Sequence, residues 1–132
     1  MAEDFPVVLS AGSLRAEAAD GWVPPPVWTE EGVVVTAAPH GAGPLQVSVA
    51  LCVLNDLFRE ARQQGPSVSG ARAAARGELD EETWQSTGIT YEVQVDSPAS
   101  AEEVTTLLRH VDAVAEIPRT LRGGTPVERA DG

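Results

Sequence analysis

The residue pair best suited to chemistry is Cys52 and Asp56, which lie four positions apart in a long, largely apolar segment. On an α-helix, side chains four residues apart lie one above the other, so the Asp56 carboxylate would neighbour the Cys52 thiol. A nearby negative charge opposes the thiolate, which is the reactive form of cysteine. The spacing therefore favours a small buried apolar role for Cys52, with a nucleophilic or peroxidatic role as the alternative.

Asp56 ends the most apolar part of this segment. If it is buried, it must be paired, hydrogen-bonded or protonated, because an isolated buried charge is too costly. Desolvation would also raise its pKa towards the range that suits general acid–base catalysis. Two interpretations stand side by side. Asp56 is a catalytic acid or base, or it marks the point where the helix meets solvent and pairs with Arg59 or with an arginine of another chain.

Further candidates lie in and around the loops before this helix. His40 is in a loop rich in proline and glycine that leads into the helix, a common location for a catalytic residue. Trp22 and Trp28 flank Pro24–Pro26, whose polyproline conformation would make a stiff segment. The two indoles either pack on the edge of the domain or line a ligand pocket. Asn55 either offers its amide to a ligand or serves helix packing.

Composition excludes several functions. The 132-residue chain has a net charge of −11 and no lysine, since all nine basic residues are arginine. Schiff-base chemistry, Walker-type phosphate binding, nucleic-acid binding and binding to an anionic membrane are therefore not expected.

The His, Cys, Asp and Glu residues lack metal-ligand spacing, which predicts neither a metal nor another cofactor. A single cysteine, an acidic N-terminus unlike a signal peptide and the lack of a membrane-length apolar run predict a cytoplasmic protein.

The pattern of apolar residues and chain breakers predicts an α+β domain over residues 1–132 with the order β-β-β-α-β-β-α-β. Its three parts are an N-terminal β region over 1–38, a central helix over about 44–64 and a C-terminal β-β-α-β region over 67–129. The predicted strands are Phe5–Leu9, Ser13–Ala19, Val33–Thr36, Ser67–Leu79, Ile89–Asp96 and Thr125–Glu128, and a second helix runs from Ser100 to about residue 115.

The central helix is unusual because nearly every position from Leu45 to Leu54 is apolar or small. A helix that is apolar on all sides must be enclosed on all sides. A chain of this length has few ways to enclose one helix so fully. The segment therefore predicts burial within an oligomer.

Several short motifs from Gly65 to Glu128 together resemble the OsmC/Ohr family of osmotically inducible and organic hydroperoxide resistance proteins. They are Gly77-Glu78-Leu79-Asp80 followed by the strand Ile89–Val95, the helix start at Ser100–Glu103, the step Ile117-Pro118, Thr120-Leu121 and the ending Thr125–Glu128. Gly43-Pro44-Leu45-Gln46 resembles the Pro-Leu-Glu-Leu helix start of that family. Cys52, with Ala61 and Gly65 after it, matches the family's first cysteine.

The resemblance implies an OsmC-like fold and an intertwined homodimer, in which sheets from both chains wrap two central helices. It also implies a two-cysteine chemistry for the peroxidase members. There the first cysteine attacks a hydroperoxide, a second cysteine before a proline forms the resolving disulfide, and an arginine and a glutamate support the first.

This chain departs from that pattern at the second cysteine and at the supporting residues. Ile117 occupies the place of the second cysteine before Pro118, and Gln46 stands in the region of the supporting glutamate. Arg15 is the candidate for the supporting arginine. A competing register places Asn55 at the position of the first cysteine.

The prediction for function is a divergent OsmC-like homodimer that binds or transforms an apolar small molecule in a pocket at the dimer interface. The chemistry would be non-redox acid–base catalysis of the isomerase, cyclase or hydrolase type, as in a biosynthetic pathway. The first alternative is a one-cysteine, thiol-dependent organic hydroperoxide peroxidase of the oxidative stress response that uses Cys52. The second alternative is a ligand-binding protein without catalysis.

Overall fold

An antiparallel sheet carries one long helix across one of its faces. The computed structural model describes residues 2–24, 27–38 and 40–131. Within these ranges the strands are β1 (Ala2–Asp4), β2 (Val7–Gly12), β3 (Val34–Thr36), β4 (Gly70–Asp80) and β5 (Ser86–Asp96). The helices are α1 (Gly43–Gln64), α2 (Ala101–Val114) and α3 (Glu116–Gly123), with a 3-10 turn at Ala18–Asp20.

Strand β4 is the centre of the sheet. It pairs with β5 along one edge and with β2 and β1, one after the other, along the opposite edge, while β3 pairs with the outer side of β2. The register sets Leu9 opposite Ala73, and Ala73 opposite Val93. Because directly paired residues share a face of a sheet, these three side chains lie on the same face, which is the one that α1 covers.

Small side chains on β4 let α1 lie close to the sheet. Ala71, Ala73 and Ala75 are buried on the covered face, where they meet Leu54 and Leu57 of α1 in one apolar core. Helix α2 completes the core by adding Leu107 and Val111 on the other side of α1. Burying a leucine side chain in such a core contributes about 1.5–3 kcal/mol, so α1 is held mainly by packing.

The central helix and the strands that follow it confirm the sequence-based expectations. Helix α1 starts with Pro44 in its first turn and ends at Gly65, whose φ of 62° suits glycine. Strand β5 alternates between half-buried and exposed residues from Ile89 to Asp96, as its sequence predicted. At the start of α2 the Ser100 hydroxyl accepts a hydrogen bond from the Glu103 amide, which confirms the predicted cap.

Two predicted strands are wrong. The segment Ser13–Ala19 contains a turn and the beginning of the 3-10 turn, because Gly12 adopts a φ of 63° and redirects the chain. The segment Thr125–Glu128 is exposed and irregular. It is preceded by α3, a helix that the sequence did not predict, whereas α2 ends at Val114, close to its predicted end. A proline is tolerated in the first turn of a helix, where its missing N–H would have no acceptor, and so Pro118 lies near the start of a new helix.

In the described ranges, no helix is both long enough and apolar enough to cross a membrane. Helix α1 has 22 residues, but its second half carries Asp56, Arg59, Glu60 and Arg62.

A single chain encloses α1 only in part. Val49, Ala50 and Val53 are buried, whereas Val47 and Leu51 are half-buried. The sequence led us to expect enclosure on every side of this helix. We therefore propose that a second copy of the chain covers the side that carries Val47.

This proposal predicts that the protein is a homodimer. Light scattering at micromolar concentration is expected to give about twice the chain mass of 13.8 kDa. Val47→Glu is expected to lower the mass towards that of one chain, because it places a charge on the apolar contact. Val127→Glu is the matched control, since Val127 is 90% exposed. A wild-type protein with the mass of a single chain would contradict the proposal.

Candidate functional site

A cavity of about 520 Å³ lies between α1 and the loop that leads to β3. Most of its wall is apolar and comes from both sides: Trp28 and Val33 from the loop, and Leu51, Leu54 and Phe58 from α1. Ile117 of α3 also lines it. Its size and lining are typical of a site for a small apolar molecule.

The loop side of the cavity is tied to α1 by polar contacts. The indole Nε1–H of Trp28 donates to Oδ1 of Asn55. The guanidinium of Arg62 lies 5.0 Å from the centre of the Trp28 ring, and its Nη2 donates to the Trp28 carbonyl oxygen at 3.3 Å. A cation over an indole face is favourable, so the helix holds Trp28 in place as one wall of the cavity.

Cys52 lies where the cavity meets two carboxyl groups. Its Sγ is 3.8 Å from Oδ2 of Asp56 and 3.5 Å from Oε2 of Glu116. The backbone N–H of Ile117 donates to the same sulfur at 3.5 Å. The first turn of α3 therefore brings Glu116 and Ile117 against the middle of α1.

Asp56 is buried directly behind this point, with only 1% of its surface exposed. Its Oδ1 accepts a hydrogen bond from Nδ2 of Asn55 at 3.2 Å and forms an ion pair with Nη1 of Arg59 at 3.0 Å. The same Arg59 nitrogen lies 3.4 Å from Oε1 of Glu116. One guanidinium thus bridges two carboxyl groups that both contact Cys52.

The two carboxyl groups have opposite pKa shifts. Burial raises the pKa of Asp56, and the hydrogen bond with Glu116 raises it further, which outweighs the opposing effects of Arg59 and Asn55. The pKa of Glu116 falls to about 2, because its own backbone N–H and the hydrogen bonds from Asp56 and Cys52 favour its ionised form. When the pair carries a single proton, that proton therefore binds Asp56 in preference to Glu116.

Cys52 is not an activated thiol in this environment. Burial raises its pKa, and the negative charges of Asp56 and Glu116 raise it further, while the hydrogen bond from the Ile117 amide opposes these effects only in part. At neutral pH the side chain is the protonated thiol.

The ligand atoms of Cys52, Asp56 and Glu116 all lie within 4.8 Å of one another, which is close enough to hold a metal ion. The sequence analysis predicted no metal, because these three residues do not have metal-ligand spacing along the chain. The Arg59 guanidinium already pairs with both carboxyl groups, so a cation would have to compete with it.

Three of the predicted site residues line the cavity: Trp28, Cys52 and Asn55. Asp56 contacts Cys52 and Asn55 from behind. The structure therefore brings together the residues that the sequence placed on one part of α1, and it adds Trp28 from the loop. Of the proline segment before Trp28, Pro25 and Pro26 lie outside the described residues.

The other predicted site residues do not line this cavity. Trp22 is 51% exposed and pairs through its backbone with Val35. His40 is exposed before the start of α1, and Cys52 lies nine positions after Gly43, which corresponds to about 13 Å along the helix.

Arg15 and Gln46 also take part in contacts outside the cavity. Nε of Arg15 donates to the Gly32 carbonyl oxygen at 3.3 Å. Gln46 is buried against Gly77 of β4, and its Oε1 is buried with no hydrogen-bond partner in the described part of the chain.

Glu116 is the site residue that the sequence analysis missed. It is 64 residues from Cys52 along the chain, and no local sequence pattern indicated that α3 packs on α1. The adjacent Ile117-Pro118 step was the available signal, because the family resemblance places that step near the first cysteine.

Comparison with known proteins shows the family to which the chain belongs. The sequence profile of the OsmC-like proteins matches residues 39–129. The chain belongs to the OsmC-like protein family. The crystal structure of an OsmC-like hydroperoxide resistance protein from Jannaschia sp. CCS1 is similar to this chain, with a TM-score of 0.60 and 11% sequence identity. The similarity covers 96% of this chain and 91% of the Jannaschia protein.

At that identity the structural similarity establishes the fold alone, and it confirms the predicted OsmC-like α+β fold. The family match confirms the resemblance seen in the sequence. A search of the curated proteins found no significant match.

The contacts of Cys52 predict how its reactivity depends on Asp56. In this OsmC-like protein the thiol is expected to react slowly with iodoacetamide at mildly alkaline pH, with a rate that rises as pH rises. Asp56→Asn is expected to increase the rate several-fold, because loss of the negative charge lowers the thiol pKa.

Asp112→Asn is the matched control, since Asp112 is an ionised carboxylate bound to Tyr91 and Arg122 rather than to Cys52. An alkylation rate that stays the same or falls in Asp56→Asn would show that the carboxylate does not suppress the thiolate.

Proposed function

We propose that this OsmC-like protein binds an apolar small molecule in the cavity beside α1 and transforms it by non-redox acid–base chemistry. One observation carries the proposal. Cys52 and Asn55, which line an otherwise apolar cavity, contact a carboxyl pair in which the pKa of Asp56 is raised and that of Glu116 is lowered. Pairs of titratable groups whose environments drive their pKa values apart are typical of acid–base sites.

The lining of the cavity supports binding. Trp28 from the loop and Phe58 from α1 offer large apolar surfaces, and Leu51 of α1 adds to the apolar lining. Because Trp28 is already held by Asn55 and Arg62, little conformational freedom would be lost when a ligand packs against it.

Cys52 supplies a path between the cavity and the carboxyl pair, because its sulfur lines the cavity and contacts both carboxyl groups. In the proposed step the sulfur accepts a proton from the substrate while its own proton passes to the Asp56 carboxylate. The reverse transfer returns a proton to a different substrate atom. No electrons leave the substrate, so the step fits an isomerisation, a cyclisation or a hydrolysis.

A one-cysteine peroxidase is the second candidate. It is favoured by the access of Cys52 to the cavity and by the Ile117 amide, which would stabilise a thiolate. The raised pKa of Cys52 argues against it, because the thiolate is the reactive form. So does Ile117, because it occupies the place of the second cysteine before Pro118 and cannot form a disulfide. Rapid alkylation of wild-type Cys52 at neutral pH would reverse this preference.

We propose further that the second copy of the dimer closes the open side of the cavity. Exclusion of water would strengthen the electrostatic effects on Asp56 and Glu116, since interactions between charges grow as the local dielectric constant falls.

The acid–base proposal predicts catalysis of proton exchange on a neutral apolar probe. The α-protons of 2-tetralone are expected to exchange in D₂O faster with the protein than in buffer, as followed by ¹H NMR. Asp56→Asn is expected to reduce the protein-dependent rate by roughly 100-fold, because a positioned general base typically contributes that much or more. The wild-type rate is expected to rise as pH rises through the raised pKa of Asp56, since the carboxylate is the base.

Two controls separate catalysis from binding. Trp28→Ala is expected to weaken binding of the probe, whereas Trp22→Ala is expected to leave it unchanged because Trp22 does not line the cavity. Tight binding of 2-tetralone without faster exchange would identify the protein as a ligand-binding protein without catalysis. Exchange that Asp56→Asn leaves unchanged would contradict the role of Asp56.

A further inference from the structure

Most side-chain hydrogen-bond donors around the cavity are already committed to protein acceptors. The Trp28 indole N–H donates to Asn55. The Ser48 hydroxyl donates to the Leu45 carbonyl oxygen at 2.6 Å, and the Thr29 hydroxyl donates to the Gly32 carbonyl oxygen at 3.3 Å. A hydroxyl has one hydrogen and two lone pairs, so Ser48 and Thr29 retain only acceptor capacity.

The remaining polar groups of the cavity direct their hydrogens at the carboxyl pair. The amide nitrogen of Asn55 donates to Asp56, and the thiol of Cys52 donates to Glu116. Nδ2 of Asn55 carries a second hydrogen. Among the described residues that line the cavity, it is the side-chain donor that these contacts do not use.

No basic side chain is present among the described residues that line the cavity. Arg59 is engaged by Asp56, Glu60 and Glu116, and Arg62 lies over the Trp28 ring. A ligand carboxylate or phosphate would thus be desolvated beside an acidic cluster without a cationic partner, which is strongly unfavourable.

We infer that the ligand is a neutral apolar molecule whose polar group is a hydroxyl, such as a phenol, an alcohol or an enol. The Ser48 oxygen accepts the hydrogen of that hydroxyl. Molecules that carry a carboxylate or a phosphate are rejected. This inference rests on the proposed function, because it concerns the same cavity, and it narrows the class of molecule that the cavity selects.

Calorimetric titration with three naphthalenes of similar size tests the inference at neutral pH. They are 2-naphthol, which is neutral and donates; 2-methoxynaphthalene, which is neutral and has no donor; and 2-naphthoate, which is anionic. Affinity for 2-naphthol is expected to exceed that for 2-naphthoate by roughly tenfold or more, given the cost of burying an unpaired charge. 2-Methoxynaphthalene is expected to bind several-fold more weakly than 2-naphthol.

Variants assign the preference to Ser48. Ser48→Ala is expected to weaken 2-naphthol binding several-fold and to leave 2-methoxynaphthalene binding unchanged. Ser97→Ala is the matched control, because the Ser97 hydroxyl makes the same kind of bond, to the Ser67 carbonyl oxygen at 2.6 Å, and does not line the cavity.

The possible outcomes separate this inference from the proposed function. Equal or tighter binding of 2-naphthoate overturns the choice of ligand class while the cavity remains a binding site. Loss of 2-methoxynaphthalene binding in Ser48→Ala overturns the assignment to Ser48. Failure of all three compounds to bind overturns both the inference and the proposed function. The expected order of affinities, found in a protein that does not catalyse proton exchange, supports the ligand class and removes only the catalytic part of the proposed function.

Discussion

The burial of the Asp56 carboxyl group in the middle of α1 is the constraint on which the rest of the site depends. Water cannot solvate this group, so the protein must hold its proton or supply partners for its charge. Arg59 and Asn55 contact one oxygen of Asp56, while burial together with Glu116 raises its pKa. Cys52 lies between this arrangement and the cavity, and the same charges that make Asp56 a proton carrier keep Cys52 a thiol.

The fold brings these groups together through two features of packing. Alanines on β4 let the middle of α1 lie directly on the sheet, which buries Asp56. The neighbouring side of α1 is left open towards the loop at Trp28. The start of α3 then places Glu116 and Ile117 against Cys52. Because Pro118 suits the first turn of a helix, α3 begins just before it. This local preference positions Glu116 and Ile117 beside Cys52.

The sequence predicted the parts of the fold that have strong local signals. The 22-residue helix, the alternating strand β5 and the cap at Ser100 have patterns that depend only on neighbours along the chain. The predicted strand at Ser13–Ala19 failed because one glycine with positive φ redirects the chain. At the site, the spacing of Cys52 and Asp56 was sufficient to predict their contact. Glu116 was not predicted as a site residue, because its contact with Cys52 depends on how α3 packs and has no local sequence pattern.

The preference of the shared proton for Asp56 over Glu116 is tested directly by the pKa of Asp56. This pKa is measured by ¹³C NMR titration of the Asp56 carboxyl carbon, in the wild type and in Glu116→Gln. The account predicts an Asp56 pKa above the ordinary aspartate value in the wild type, because burial and the ionised Glu116 both disfavour its charge. It predicts a lower Asp56 pKa in Glu116→Gln. A wild-type Asp56 that titrates at or below the ordinary value would mean that Arg59 dominates, and it would contradict the acid–base role.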